Sequence, residues 1–359
     1  MRIAVVQGTR PEIIKNYSII KALRTTCVPF EVLHTNQHHI SCMSRAVYQA
    51  MGYMPDRTMK GQYRLGTAID WLQRRFRRDE ISHVIVNGDT AAALAGAVAA
   101  IYLDIPLSHI EAGLRSRDSK MLEERNRIMV DYVANLLFAY TRVEQELLQS
   151  TPEVRGRVHL EGNTTLDVLA DFAHKFERPL KSGPYIFATM HRKEFTESRP
   201  RMLAVFELLR DIAATECQVI FPLHPRTTDA MRRHRLSKDV LGDVTIMEPV
   251  PIFDALAFQK HAAAVITDSG CIQEEAYLLR VPCVTVRENT ERHLTGAHGA
   301  NRVTGFSPGA MMDGVRWALQ LESREWPNIY GFPGVGTRVV QRIGELTYQF
   351  EPAADLSFA

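Results

Sequence analysis

The first candidates for chemistry are acidic residues just past short β-branched runs. His83–Val86 leads into Asn87-Gly88-Asp89-Thr90, and Leu107–Ile110 leads into Glu111-Ala112-Gly113-Leu114-Arg115. If both runs are strands, Asp89 and Glu111 lie at their carboxyl ends, the edge where open α/β sheets hold ligands. Taken alone, Asp89 reads as the N-cap of the alanine-rich helix after it. Glu111, two residues before a glycine and with no obvious helix following, has less structural reason to be acidic. Next comes Glu123-Glu124-Arg125-Asn126-Arg127 at a predicted helix start, where Glu123 and Arg127 share one face. By itself that is a solvated charge run. Together with Asp89 and Glu111, Glu123 would complete a cluster of three carboxylates, whose mutual repulsion raises their pKa values into a range suited to acid/base work.

A second group is cationic. The first apolar run meets Gly8-Thr9-Arg10-Pro11-Glu12 and then Lys15. The glycine allows a tight turn, Pro11 suits the first helical position, and Arg10 and Lys15 would reach the ligand edge, where cations stabilise a diphosphate. Equally, both could be solvated surface charges. Tyr185–Thr189 runs into Met190-His191-Arg192-Lys193, and His224 repeats the placement in Leu223-His224-Pro225-Arg226. Either histidine could meet an anion or sit capped in the core. Thr267-Asp268-Ser269-Gly270-Cys271-Ile272-Gln273-Glu274-Glu275 reads as a strand meeting a helix N-terminus through small residues. Free N–H groups and the dipole there favour phosphate, and Glu275 could accept ribose hydroxyls. Arg287-Glu288-Asn289-Thr290-Glu291-Arg292 adds cations to the same edge. The nearest approach to a dinucleotide fingerprint, Gly334-Val335-Gly336, follows no strand, and no histidine or acidic spacing suggests a metal. No cofactor is therefore expected.

The elements that must position these residues alternate from the start of the chain. Strand patterns at Ile3–Val6, Phe30–His34, His83–Val86, Leu107–Ile110, Leu137–Tyr140 and Val158–Glu161 are separated by helix-length segments. A second series follows at Tyr185–Thr189, Gln218–Leu223, Val244–Met247, Ala264–Thr267 and Pro282–Val286. Such alternation specifies an α/β fold with two doubly wound, Rossmann-like domains. The expected division is 1–170 and 171–336, the change falling between Thr165 and Pro184, where a helical stretch ends in the polar sequence Lys175–Gly183. The last helical pattern, within 337–359, is expected to return to the first domain.

Composition agrees and narrows the partners. At 359 residues the chain is long enough for two domains, with 45% apolar and 23% charged residues. Forty-three Lys and Arg against 41 Asp and Glu leave a charge of +2, which gives no reason to expect nucleic acid. The most apolar stretch, Ala91–Leu103, falls short of the ~20 residues that span a membrane. The N-terminus opens directly as a strand without a secretory pattern, so a cytoplasmic location is expected. Cysteines 27, 42, 217, 271 and 283 show no C-x-x-C pair and read as reduced thiols.

These motifs, in this order over nearly the whole chain, resemble the UDP-N-acetylglucosamine 2-epimerases. The resemblance rests on Gly8–Glu12 with Lys15, Gln37-His38, Gly88–Thr90, Glu111–Arg115, Glu123-Glu124 with Asn126-Arg127, Gly162-Asn163 and His191-Arg192. Thr267–Gly270 with Ile272–Glu275, and Asn289–Arg292, complete it. It implies a glycosyltransferase-B type fold, two Rossmann-like domains facing a cleft, usually as a homodimer. It also implies Asp89, Glu111, Glu123 and His191 as acid/base groups. Contacts to substrate would come from Arg10, Lys15, His38, Arg127, Arg192, Phe253, Ser269, Gly270, Cys271, Glu275 and Arg292, with Phe253 packing the uracil. The implied reaction is reversible C2 epimerisation of UDP-GlcNAc to UDP-ManNAc through 2-acetamidoglucal.

The chain departs from the family pattern at several points. Cys271 stands where a second glycine is usual, and the segment Ser116–Leu122 before the Glu-Glu pair is short. Arg292-His293-Leu294 replaces Arg-Pro-Glu, and Ile40 and Lys193 replace polar or arginine residues. The changes at Ile40, Lys193 and Ser116–Leu122 imply turnover without activation by UDP-GlcNAc, and those at 293 and 294 leave a modified UDP-hexosamine open. A hydrolysing epimerase would use the same elimination and release free ManNAc. A glycosyltransferase of this fold would need an acceptor pocket and fewer acids, and the carboxylates argue against a non-catalytic UDP-sugar sensor.

Overall fold

The computed structural model describes residues 1–37, 42–177, 179 and 183–349. The chain folds as two compact units, Met1–Asp171 with the chain from Asn328 onward, and Phe172–Pro327.

Among the described residues the first unit holds a seven-stranded sheet. Its strands are β1 (Ile3–Gln7), β2 (Phe30–His34), β3 (Arg57–Thr58), β4 (His83–Asn87), β5 (Leu107–Ala112), β6 (Leu136–Ala139) and β7 (Arg157–Leu160). The order is β3-β2-β1-β4-β5-β6-β7, every pair parallel. β1, β4, β5 and β6 are buried throughout, as strands covered by helices on both faces must be. That is why Ile3–Val6 and Val84–Val86 read as apolar runs in the sequence, while β5 buries Ser108 and His109 as well. Val6, Leu33, Leu72, Phe76, Val84 and Leu137 belong to the core on one face.

The second unit repeats the plan with β8 (Tyr185–Thr189), β9 (Gln218–Pro222), β10 (Thr245–Met247), β11 (Ala264–Thr267), β12 (Cys283–Thr285) and β13 (Asn301–Val303). Their order is β10-β9-β8-β11-β12-β13, again parallel. Met202, Phe206, Phe221, Ile266 and Val315 are among its core residues. In each unit the strand order reverses once, between β1 and β4 and between β8 and β11. Such switch points open a crevice at the strands' carboxyl ends.

Two edge strands have no counterpart in the sequence reading, β3 and β13. Both are short and largely polar or exposed, so neither leaves an apolar run to recognise. The Gly334-Val335-Gly336 segment has a structural role. The N–H groups of Gly334, Val335 and Gly336 all donate to the Asp167 carboxylate, which caps the helix Val335–Gln349. That helix packs on Tyr17–Arg24 within the first unit, and Glu161 anchors it through Arg338 and Arg342. No described helix is long and apolar enough to cross a membrane.

Candidate active site

At the switch point of the first unit, Gly8 follows β1. A Cβ there would stand 2.7 Å from that of Ala92, so the close approach of the chain, more than a special backbone angle, requires glycine. Thr9 caps the helix Arg10–Lys15, and Glu12 closes the capping box. The buried Glu12 carboxylate accepts from Gly8 N at 2.8 Å, from Thr9 N at 2.8 Å, from the Thr9 hydroxyl at 2.9 Å and from the Thr90 hydroxyl at 2.6 Å. Burial nevertheless pushes its pKa up to about 7. Glu12 thus ties the turn after β1 to the turn after β4. Arg10 is half-buried, and Lys15 is not a surface charge at all: it lies buried against the Glu111 carboxylate, its Nζ 5.8 Å from the Tyr140 ring centre.

The two acids of the neighbouring turns come together through one cation. Arg127, buried in the helix Leu122–Val133, pairs with the Asp89 carboxylate, with Glu111 Oε1 at 3.0 Å, and with the Glu111 backbone carbonyl. Glu111 side-chain exposure is 3% and that of Asp89 is 22%, so Asp89 is the member that solvent can reach. Glu111 is unusual in its backbone. It sits where the β5–β6 register shifts and has φ +64°, a left-handed conformation that costs a non-glycine residue of order 1–3 kcal/mol. Gly88, at φ +73°, sets up the turn to Asp89.

Two expectations are corrected here. The N-cap of the helix Ala91–Ile101 is Thr90, whose hydroxyl accepts from Ala93 N, so Asp89 is not the cap. The three-carboxylate cluster is not closed either. Glu123 is exposed on the first helical turn, while its neighbour Glu124 is buried and accepts from Ser116 N and Arg117 N. Asp89 and Glu111 face Arg127 and Lys15 instead of each other's charge, which relieves the repulsion expected from the sequence.

At the switch point of the second unit, His191 follows β8. The buried Asp268, after β11, accepts the backbone N–H groups of His191 and Arg192 at 2.8 and 2.7 Å, and its other oxygen lies 3.7 Å from His191 Nδ1. Burial raises the Asp268 pKa, opposed by those two donors. His224 caps the helix Pro225–Arg233, its Nδ1 accepting from Arg226 N, and its ring stacks on His191 at 4.7 Å.

Ser269 precedes the helix Gly270–Leu278, which carries Gly270, Cys271 and Glu275. Arg192, Arg287 and Arg292 surround the buried Glu291 at 3.5, 2.9 and 3.2 Å, and Arg292 also pairs with Glu274 at 2.8 Å. Burial works to raise the pKa of Glu291, but the three guanidinium groups hold its carboxyl well below the usual range. Glu275 accepts from Gln259 at 2.7 Å. Phe253 packs on Phe172 with ring centres 4.5 Å apart, and Lys175 Nζ lies over both rings. His38 and Ile40 lie outside the described residues.

The sequence model of the UDP-N-acetylglucosamine 2-epimerases matches residues 21–344. A Methanococcus maripaludis protein named UDP-N-acetylglucosamine 2-epimerase is 34% identical, over 94% of this chain and 97% of its own. This chain belongs to the UDP-N-acetylglucosamine 2-epimerase family. It is an enzyme by that membership, and its two Rossmann-like sheets fit the glycosyltransferase-B class. A crystal structure of the Methanocaldococcus jannaschii UDP-GlcNAc 2-epimerase in complex with UDP-GlcNAc and UDP is similar, with a TM-score of 0.89 at 31% identity. The match covers 96% of this chain and 100% of that one. A Pseudomonas aeruginosa member, 31% identical over 96% of this chain and 100% of its own, is named UDP-2,3-diacetamido-2,3-dideoxy-D-glucuronate 2-epimerase.

Within this family member, several buried groups that support the candidate residues escape a reading for chemistry. Glu12, Glu124, Asn126 and Asp268 each hold backbone of a ligand-edge loop, Asn126 by donating to the Asp89 carbonyl at 2.9 Å. All four lie inside motifs singled out from the sequence. What could have marked Glu12 is spacing, because a carboxylate three residues after a threonine at a helix start predicts the capping box.

Proposed function

We propose that this chain interconverts UDP-GlcNAc and UDP-ManNAc by eliminating UDP to 2-acetamidoglucal and adding it back. The observation that supports this most strongly is the Asp89–Arg127–Glu111–Lys15 cluster, whose acids come from the turn after β4 and the end of β5 at the ligand edge of the first sheet. The C2 proton of the sugar is not next to a carbonyl, so something other than enolisation must make it acidic. Cleaving the C1–O bond does so: charge develops at C1, a base takes the C2 proton, and the C1=C2 double bond forms. Readdition delivers a proton to the opposite face of C2 while UDP attacks C1, so two groups share the transfers.

Asp89, the more accessible acid, is assigned one transfer at C2. Glu111 holds Lys15 and Arg127 in place and shapes the electrostatics beside it, and His191 and Glu123 are the candidates for the other transfers. Departing diphosphate would be stabilised by Arg10, Arg192, Arg292 and the helix start at Ser269, Gly270 and Cys271. Glu275 would take the ribose and Phe253 the uracil. The reading includes a homodimer working in the cytoplasm without metal or nicotinamide.

A modified UDP-hexosamine is the second reading, favoured by the Pseudomonas relative and by His293-Leu294. Incubation of the purified chain with UDP-GlcNAc alone, and in parallel with a UDP-2,3-diacetamido sugar alone, separates these possibilities. The expected product is UDP-ManNAc in equilibrium with substrate. Free ManNAc with UDP would replace the proposal by a hydrolysing epimerase. Tight binding with no product, or turnover of a 3-substituted UDP-hexosamine only, would also overturn it.

A further inference from the structure

Behind the Asp89 turn lies a pair of side chains that solvent does not reach. His109, on β5, places Nδ1 2.8 Å from Asp131 Oδ1 and Nε2 2.8 Å from the Gly88 carbonyl oxygen. Both side chains are fully buried. The second Asp131 oxygen takes Arg115 at 2.7 Å and the Gly113 N–H at 3.3 Å. Burial works to raise the Asp131 pKa, but His109 and Arg115 hold it below the usual range, so it is a carboxylate. A carboxylate and a carbonyl can only accept, so each imidazole nitrogen faces an acceptor.

The consequence concerns backbone. Gly88 and Asp89 are adjacent, and their carbonyls are gripped by His109 and by Asn126 respectively. Asp131 also grips Gly113, two residues past Glu111. Asn126, Arg127 and Asp131 all project from the helix Leu122–Val133, and Arg127 and Asp131 are one turn apart on it. One helix therefore fixes the turn that carries Asp89 and the chain just past Glu111.

We propose that His109 and Asp131 are positioning residues for the epimerisation, a doubly protonated imidazole and its carboxylate that lock the Gly88–Asp89 peptide and so aim Asp89. The inference rests on the functional reading above. Neither residue touches substrate, so each acts through Asp89, where a displacement of about 1 Å costs on the order of 100-fold in rate.

The test compares His109→Gln and Asp131→Asn with the parent, alone and in an Asp89→Asn background. Each single variant is expected to lose on the order of 100-fold in kcat, with KM within about 3-fold. In the Asp89→Asn background the further loss should shrink to a few-fold, because the group being aimed is gone. Full multiplication of the two losses, or a parental kcat in folded single variants, overturns the proposal. Nitrogen NMR of the unaltered chain provides a second arm if the variants fail to fold. Two protonated ring nitrogens on His109 are expected, and one bare nitrogen overturns the clamp. Failure of the unaltered chain to epimerise UDP-GlcNAc would instead refute the functional reading, and the NMR result would still decide the clamp.

Discussion

Glu111→Gln is expected to lower turnover at least ~100-fold and to destabilise the chain by ~3–5 kcal/mol. Glu111 is the counter-charge for two cations almost as buried as itself, with side-chain exposures of 7% for Lys15 and 2% for Arg127. Glutamine keeps the shape but removes the charge, and the cost of a broken buried pair is chiefly the charge left behind. Arg127 would retain Asp89, whereas Lys15 would lose the Glu111 charge beside it. Urea unfolding and steady-state turnover measure the two effects separately. Adding Lys15→Met to Glu111→Gln should recover part of the stability without recovering turnover. A Gln variant as stable and active as the parent would show that the cluster is neither balanced nor used as described.

Asp89→Asn should separate the same two quantities in the opposite way. Turnover is expected to fall at least ~100-fold, the scale of losing a general acid or base, with the unfolding midpoint nearly unchanged. Asparagine keeps an acceptor for Arg127, and the partly exposed Asp89 incurs less cost from losing its charge than Glu111 does. The helix cap is not disturbed, because Thr90 provides it. Turnover near the parental value would remove Asp89 from the reacting groups.

Much of the fold was legible because covered parallel strands must be apolar on both faces. The runs Ile3–Val6, Tyr185–Thr189 and Ala264–Thr267 lie within β1, β8 and β11. β3 and β13, at the edges, bear no such requirement and left no trace. Placing Asp89 and Glu111 at the ligand edge needed only strand ends. What joins them was not legible: Arg127 and Glu123 share a face of the helix Leu122–Val133, and which of them is buried depends on how far along the helix the packing begins, which a charge run does not fix; Glu123 lies on the exposed first turn. The same holds for Glu123 and Glu124, where adjacent positions face different ways and the buried one is Glu124. Lys15 read equally well as a solvated charge. Only the depth of Glu111 in the sheet makes it a buried partner.

Deprotonation and reprotonation of C2 by solvent-exchanging groups is tested by running the reaction in D₂O and reading C2 by NMR. UDP-ManNAc is expected to carry deuterium at C2, with label also entering recovered UDP-GlcNAc as the reaction reverses. Full epimerisation with the original hydrogen retained at C2 would contradict it.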